Sequence, residues 1–205
     1  MVRKDVCILD YGSGNVGSVF NLLKHLKTNV VVSNEKKIIE NSTHLILPGV
    51  GSFGSAMEKI RSKLPLDVIE NQVINKNKPF LGICVGMQVL AGYGLEFGKH
   101  SGLGWIDGVV DLIQSGENPL PHIGWNNVDS ICESKLMDGL ETINDFYFVN
   151  SYCFKAKDKG NVLAETEYHE KFASVIGKDN ILGVQFHPEK SQGAGQKIIT
   201  NFLEY

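Results

Sequence analysis

Short apolar runs that end in glycine constrain this chain more than any other feature. Residues 6–9, 44–47 and 80–83 are each dominated by Val, Ile and Leu, and each gives way to glycine within a few positions. Runs of that length, bounded by turn formers, read as strands buried on both faces. Residues 30–32 read as a further strand. The segments between follow a different period. Val16, Val19, Phe20, Leu23 and Leu26 recur at steps of three and four, which predicts a helix over 16–26 with one apolar face. Further helices are expected over about 54–62, with Met57 and Ile60 inward, and over 66–75, with Val68, Ile69, Gln72 and Val73. Another begins at Val85 and runs to Leu90. Strands alternating with helices predict a mostly parallel sheet with helices on both faces and right-handed crossovers.

The second half has a different texture. Residues 109–113, 125–128, 146–149, 162–165, 172–176 and 181–184 are short strand candidates with few helices between them. They predict antiparallel strands added to the first sheet or packed beside it. Residues 193–205 are helical in pattern, with Ile198, Ile199, Phe202 and Leu203 inward. At 205 residues and 42% hydrophobic, one α/β domain over residues 1–205 with an antiparallel extension is the simplest layout.

Charge and cysteine usage exclude several classes. The net charge is −3, and no basic stripe points to nucleic acid. No window approaches the ~20 apolar residues of a membrane span, and the apolar run near the N-terminus is too short for a signal peptide, so the cytoplasm is expected. None of Cys7, Cys84, Cys132 and Cys153 has CxxC spacing, so neither a zinc site nor a redox dithiol is expected. Cys7 and Cys153 sit in apolar runs and read as core, Cys132 as a loop residue.

Two glycine motifs invite a nucleotide. Gly12-Ser13-Gly14-Asn15-Val16-Gly17 spells GxGxxG between a strand and a helix, with Glu35 where a ribose-binding acid could lie. Gly49-Val50-Gly51-Ser52-Phe53-Gly54 repeats it after the third strand. A nucleotide-binding oxidoreductase is therefore one reading; the other is that the glycines simply allow tight turns.

Gly82-Ile83-Cys84-Val85-Gly86 carries more specific chemistry. A G-x-C-x-G run between strand and helix has the form of a nucleophile elbow, with sulfur in place of a hydroxyl. Such a cysteine sits at a helix N-terminus, which favours the thiolate, and the N–H of Val85 would face an oxyanion at the attacked carbon. An inert cysteine in a tight turn is the alternative. Gln185-Phe186-His187-Pro188-Glu189 supplies a base at a strand end and a carboxylate two residues on to orient it. The turn Pro48-Gly49-Val50-Gly51 offers a second oxyanion donor, the N–H of Val50 or Gly51.

Together these segments resemble the class I, triad-type, glutamine amidotransferases over nearly the whole chain. The specific matches are Gly82 to Gln88 around Cys84, where the family usually has Leu at Val85, and Gly183 to Ser191 around His187 and Glu189. Within the family, Pro48 to Phe53, Pro121-His122-Ile123-Gly124-Trp125-Asn126 and Tyr147 to Tyr152 resemble the branch of glutaminase subunits of imidazole glycerol phosphate synthase, in histidine biosynthesis. The resemblance implies a flavodoxin-like fold, hydrolysis of glutamine by Cys84, His187 and Glu189, and no metal or organic cofactor. It implies that Gly49, Gln88, Ser151 and Tyr152 hold glutamine, and that Val50, Gly51 and Val85 form the oxyanion hole. It implies a heterodimer with a (β/α)8-barrel cyclase, coupled through Tyr11, Asn15, Pro121, Trp125 and Asn126. The chain departs from the family at Asn150, usually His, and at Trp105-Ile106-Asp107, and residues 129–145 are only loosely similar. These departures leave room for a paralogue with the same chemistry that feeds sugar amidination or surface-glycan synthesis. A catalytically silent regulatory scaffold is a further alternative, opposed by the intact Cys84, His187 and Glu189.

Overall fold

The structure, a computed structural model, describes residues 4–205. Its first half alternates as the periodicities predict. Strand β1 (Asp5–Leu9) leads to helix α1 (Val16–His25), β2 (Asn29–Ser33) to α2 (Lys36–Asn41), and β3 (His44–Gly49) to α3 (Phe53–Lys63). Helix α4 (Leu66–Glu70) continues into a π-helical turn, Asn71–Asn75, before β4 (Phe80–Cys84) and α5 (Val85–Gln88). Helix α1 buries Val19 and Leu23, with Val16, Phe20 and Leu26 packed at the core margin, so its stripe is the predicted one.

The second half contributes β5 (Tyr93–Gly94), β6 (His100–Ser101), β7 (Gly108–Leu112), β8 (His122–Asn127), β9 (Asp129–Ser130), β10 (Asp145–Asn150) and β11 (Tyr152–Ala156). After these come β12 (Val162–Tyr168), β13 (Glu170–Lys178), β14 (Ile181–Val184) and helix α6 (Gln192–Phe202). A twelve-stranded sheet runs β2-β1-β3-β4-β14-β13-β11-β7-β5-β6, with β12 attached to β13 and β9 to β12. The strands from β2 to β14 pair in parallel. Beyond β14 nearly every pairing is antiparallel. The sheet therefore has the expected parallel part and antiparallel extension, and is mixed as a whole. A parallel pair needs a crossover of a dozen or more residues, and the second half has no helices to make one.

Both expected placements of the antiparallel strands occur. Most extend the sheet, while β8 and β10 form a separate two-stranded ribbon in which Trp125 faces Tyr147 and Ile123 faces Val149. Phe146 and Phe148 fasten this ribbon to the core against Phe186, with ring centroids 4.0 and 5.8 Å away. Helix α2 has too few apolar repeats for the pattern to register, and β11 is marked only by the apolar run around Cys153. The helix expected over 85–90 stops at Gln88, because the carbonyls of Val89, Leu90 and Ala91 accept from Leu103, Ile106 and Gly104 instead of from a further helical turn.

Cys7 and Cys153 are core residues, and burial pushes their thiols up to about 11 and about 12; Cys132 is exposed. No helix among the described residues is long and apolar enough to cross a membrane.

Helix α6 docks on the turn after β14 through Gly195, where an added Cβ would lie 1.9 Å from the Pro188 carbonyl oxygen; at Gly193 nothing lies within 4 Å. Gly195→Ala should therefore cost about 2 kcal/mol. Gly193→Ala, in the same helix, should gain about 0.5 kcal/mol. Urea midpoints of the two variants against the parent check the contrast.

Candidate active site

Strand β4 ends at Cys84 and α5 begins at Val85, with no residue between to absorb the turn. Cys84 is consequently held at φ 55°, ψ −114°, a conformation that costs a side-chain-bearing residue energy and persists only where its surroundings enforce it. The flanking glycines are the enforcement. A Cβ on Gly82 would lie 2.4 Å from the Gly86 carbonyl oxygen, and one on Gly86 would lie 1.8 Å from that of Leu47. Backbone thus packs on backbone, and α5 is pressed against β3 and β4. Cys84 is 4% exposed.

The parallel pairing of β14 with β4 sets Val184 beside Ile83, so the chain leaving β14 passes Cys84. Its backbone is clamped at His187. The His187 N–H donates to the Tyr147 carbonyl at 2.9 Å, and its own carbonyl accepts from the Ser191 hydroxyl at 2.7 Å. That hydroxyl oxygen accepts in turn from the Tyr147 N–H at 3.0 Å. Pro188 then opens a 3-10 turn that brings Glu189 back to the ring.

His187 Nδ1 lies 2.9 Å from Glu189 Oε1, and Asn15 Nδ2 donates to the same oxygen at 3.0 Å. With Nδ1 committed to the carboxylate, the other ring nitrogen is left to serve Cys84, which lines the same cleft. Burial alone would disfavour the imidazolium. The hydrogen bonds and charges of Cys84 and Glu189 outweigh it and push His187 up to about 10. The arrangement can therefore keep a proton on imidazole beside a sulfur nucleophile.

A cleft of about 520 Å³ opens over the sulfur, lined by Asn15, Val50, Gly51, Cys84, Val85 and His187 among others. Gly49 stands opposite Cys84 in the β3–β4 register, and the Val50 carbonyl accepts from the Ser13 hydroxyl at 3.1 Å. Gln88, 3% exposed, donates from Nε2 to the Tyr152 carbonyl at 2.9 Å and to Gln185 Oε1 at 3.0 Å. Gly49, Val50, Gly51, Val85, Gln88 and Tyr152 are thus gathered around Cys84, with Ser151 adjoining Tyr152. A larger hollow of about 810 Å³ lies beside α3, over Glu58, Arg61, Lys99 and His100. It shares no lining residue with the first. Among the described residues no group of three or more potential metal ligands is assembled.

The residues expected to face a partner divide. Pro121 and Trp125 are exposed on or beside the ribbon, and Asn126 is half-buried, its Nδ2 donating to the Glu167 carbonyl at 3.0 Å. Tyr11 does not lie on that surface. It is fully buried, with its hydroxyl under Gly49, and burial pushes that hydroxyl's pKa up. Asn15 is half-buried and lines the cleft, its amide bound to Glu189. The first glycine motif is likewise engaged by protein. A Cβ at Gly14 would lie 2.6 Å from the Pro48 carbonyl oxygen, so that loop is closed on β3.

Three site contacts escape the sequence reading. They are the Asn15 bond to Glu189, the Ser191 clamp and a contact from Gln185 Nε2 to Cys84 Sγ at 3.7 Å. Gln185 and Ser191 had one available signal, their place within four residues of His187.

Comparison with known proteins agrees with this geometry. The model of the family Glutamine amidotransferase class-I matches residues 7–205. Imidazole glycerol phosphate synthase subunit HisH 2 of Methanococcus maripaludis is 42% identical over 200 residues, covering 97% of this chain and 98% of its own. Subunit HisH of Aquifex aeolicus is 43% identical over 196 residues, covering 95% and 94%. Among solved structures, PurLQS from Thermotoga maritima superposes with a TM-score of 0.73 at 17% identity, over 100% of this chain and 99% of that one, which shows a shared fold.

The raised His187 has a pH consequence. Its folded value, about 10, exceeds the ordinary 6.5. The pairing therefore contributes stability that is complete below 6.5 and is lost as pH climbs toward about 10. Cys84→Ala removes one of the two groups that hold the proton. Its His187 ring should titrate lower than the parent's by nitrogen NMR, and its stability should fall less over that pH window.

Proposed function

Because the chain belongs to the class-I glutamine amidotransferase family, we propose that it is the glutaminase subunit of a two-chain synthase, releasing ammonia from glutamine through Cys84, His187 and Glu189. The observation that carries this is the hydrogen-bonded series from Asn15 through Glu189 to His187, in one cleft with the sulfur of a strained elbow cysteine. The Cys84 thiolate attacks the side-chain amide carbon of glutamine. Backbone N–H groups of Val85 and of Val50 or Gly51 hold the tetrahedral oxyanion, each such donor being worth about 3 kcal/mol. His187 gives its proton to the departing ammonia, leaving a thioester on Cys84. It then takes a proton from water, whose attack releases glutamate and frees the sulfur. Glu189 stays ionised and fixes the ring. Gly49, Gln88, Ser151 and Tyr152 hold the glutamine backbone groups. No step calls for a metal or an organic cofactor.

The partner is a (β/α)8-barrel cyclase that covers the mouth of the cleft, contacted through Pro121, Trp125 and Asn126. Ammonia that escapes into neutral water is protonated and loses its nucleophilicity, so delivery through the barrel protects it. The acceptor in this reading is the phosphoribulosyl-formimino-carboxamide nucleotide of histidine biosynthesis, and the complex is cytoplasmic. The turn at Gly49 to Gly51 adopts its working oxyanion geometry once acceptor binds the barrel. A second reading keeps the chemistry and changes the acceptor to a sugar awaiting amidination. It is favoured by Asn150, whose buried Oδ1 has no partner among the described residues while its Nδ2 donates to the Tyr152 carbonyl at 3.1 Å.

Two experiments test these statements. Cys84→Ala should abolish glutamine-dependent synthesis by the assembled complex while added ammonia still supports it; glutamine hydrolysis by this variant would remove Cys84 from its role. The pathway is tested by supplying this chain and its cognate barrel to a histidine auxotroph that lacks the glutaminase subunit. Growth without histidine at low ammonia is expected. Failure to grow, despite a soluble complex that hydrolyses glutamine, would transfer the assignment to the sugar pathway.

A further inference from the structure

We propose that Gln185 is a positioning residue that aims the Cys84 sulfur, as the last link of a relay of side-chain amides running from Tyr152 through Gln88. The inference rests on the reading of Cys84 as the nucleophile and adds a residue to that site. Gln185 is fully buried, and its backbone is fixed by an N–H donated to the Ser174 carbonyl at 2.8 Å. Its side chain makes two contacts, with Gln88 and with Cys84. A buried amide placed only to fill space would leave its polar ends unpaired at a cost, and an apolar side chain of the same length would do better. Here both ends are used, and one is used on the reacting atom.

The direction of the relay follows from donor chemistry. An amide's oxygen and nitrogen have nearly the same shape, so their order must be read from partners. The Tyr152 carbonyl can only accept, which turns Gln88 so that Nε2 faces it at 2.9 Å. The second N–H of that nitrogen requires an acceptor 3.0 Å away, which turns Gln185 so that Oε1 faces Gln88. Gln185 Nε2 is thereby left facing the sulfur at 3.7 Å. A flip of either amide would set N–H against N–H or oxygen against carbonyl. The geometry thus holds a donor on the sulfur, where it stabilises the thiolate and restricts its rotation while His187 approaches from another side. Gln88 and Tyr152 belong to the proposed glutamine site, so substrate pressing on them acts on the same relay.

Gln185→Met and Gln185→Glu test the idea in the full-length chain. The first keeps length and loses the donor; the second sets an anion against the sulfur. The main readout is the pH dependence of Cys84 carbamidomethylation by iodoacetamide, followed on the Cys84 peptide by mass spectrometry so that exposed Cys132 does not interfere. Gln185→Met should move that profile to higher pH, and Gln185→Glu should move it further. In the assembled complex, glutamine kcat should fall roughly tenfold in Gln185→Met, with KM changed by less than about threefold. Should neither variant fold, Gln88→Met serves, because it leaves Gln185 in place and frees its amide to turn; it should shift the profile in the same direction by less. An alkylation profile identical to the parent's in the folded variants would overturn the proposal, even if their melting temperatures fell. Absence of glutamine hydrolysis by the parent in its assembled complex would count against the glutaminase reading instead.

Discussion

The contact of the Gly86 backbone with the Leu47 carbonyl holds the elbow at Cys84 in place, and the elbow organises everything around it. With α5 packed so closely on β3, the chain has no room to relax between β4 and the helix, and Cys84 remains at positive φ. The same closeness sets Gly49 opposite Cys84, so the ends of β3 and β4 form one wall of the cleft. The energy for this strain comes from the sheet. Each of β3, β4 and β14 lies between two neighbours, and their side chains are buried almost without exception. A residue in a disfavoured conformation persists only where such surroundings over-determine it.

A second ordering, electrostatic rather than steric, runs across the cleft. Glu189 is almost wholly buried and takes two donors on one oxygen, from His187 and Asn15. The carboxylate and the sulfur lie on either side of the imidazole, and together they overcome the burial that would otherwise discharge it. Ser191 fixes the backbone beneath the ring, so the imidazole is held by main chain as well as by side chain. The ribbon takes part because its Tyr147 carbonyl is the acceptor that anchors His187.

The strand–helix alternation of the first half was legible in the sequence because its periods are long and its glycines punctuate them. The stripe Val16, Val19, Phe20, Leu23 and Leu26 needed no tertiary information. Strand β11 was legible only as the apolar run around Cys153, too short to give its bounds or its partners. The parallel core and its antiparallel extension were legible, but the strand order was not, because order within a sheet is set by partners far apart in sequence. At the site, Cys84, His187 and Glu189 announced themselves through glycines, a proline and spacing. Tyr11 and Asn15 were assigned by resemblance to partner coupling; Tyr11 is buried beneath Gly49, and the bond from Asn15 to Glu189 had no local signal. Gln185 went unread because an amide beside a histidine carries no local signature; its meaning lies in two contacts that span 97 and 101 positions.

Strand β14 has a consequence for how the molecule comes into being. It is made long after β4 yet belongs beside it in the middle of the sheet, between β4 and β13. Until residues 181–184 leave the ribosome, β4 presents an open apolar edge, the kind of surface that invites pairing with another chain. Contacts this distant in sequence also form slowly. The nascent protein therefore passes through a stage in which its most buried strand is its least protected one. The step that closes this edge also brings His187 to Cys84, so the hazard of aggregation ends when the capacity for catalysis begins.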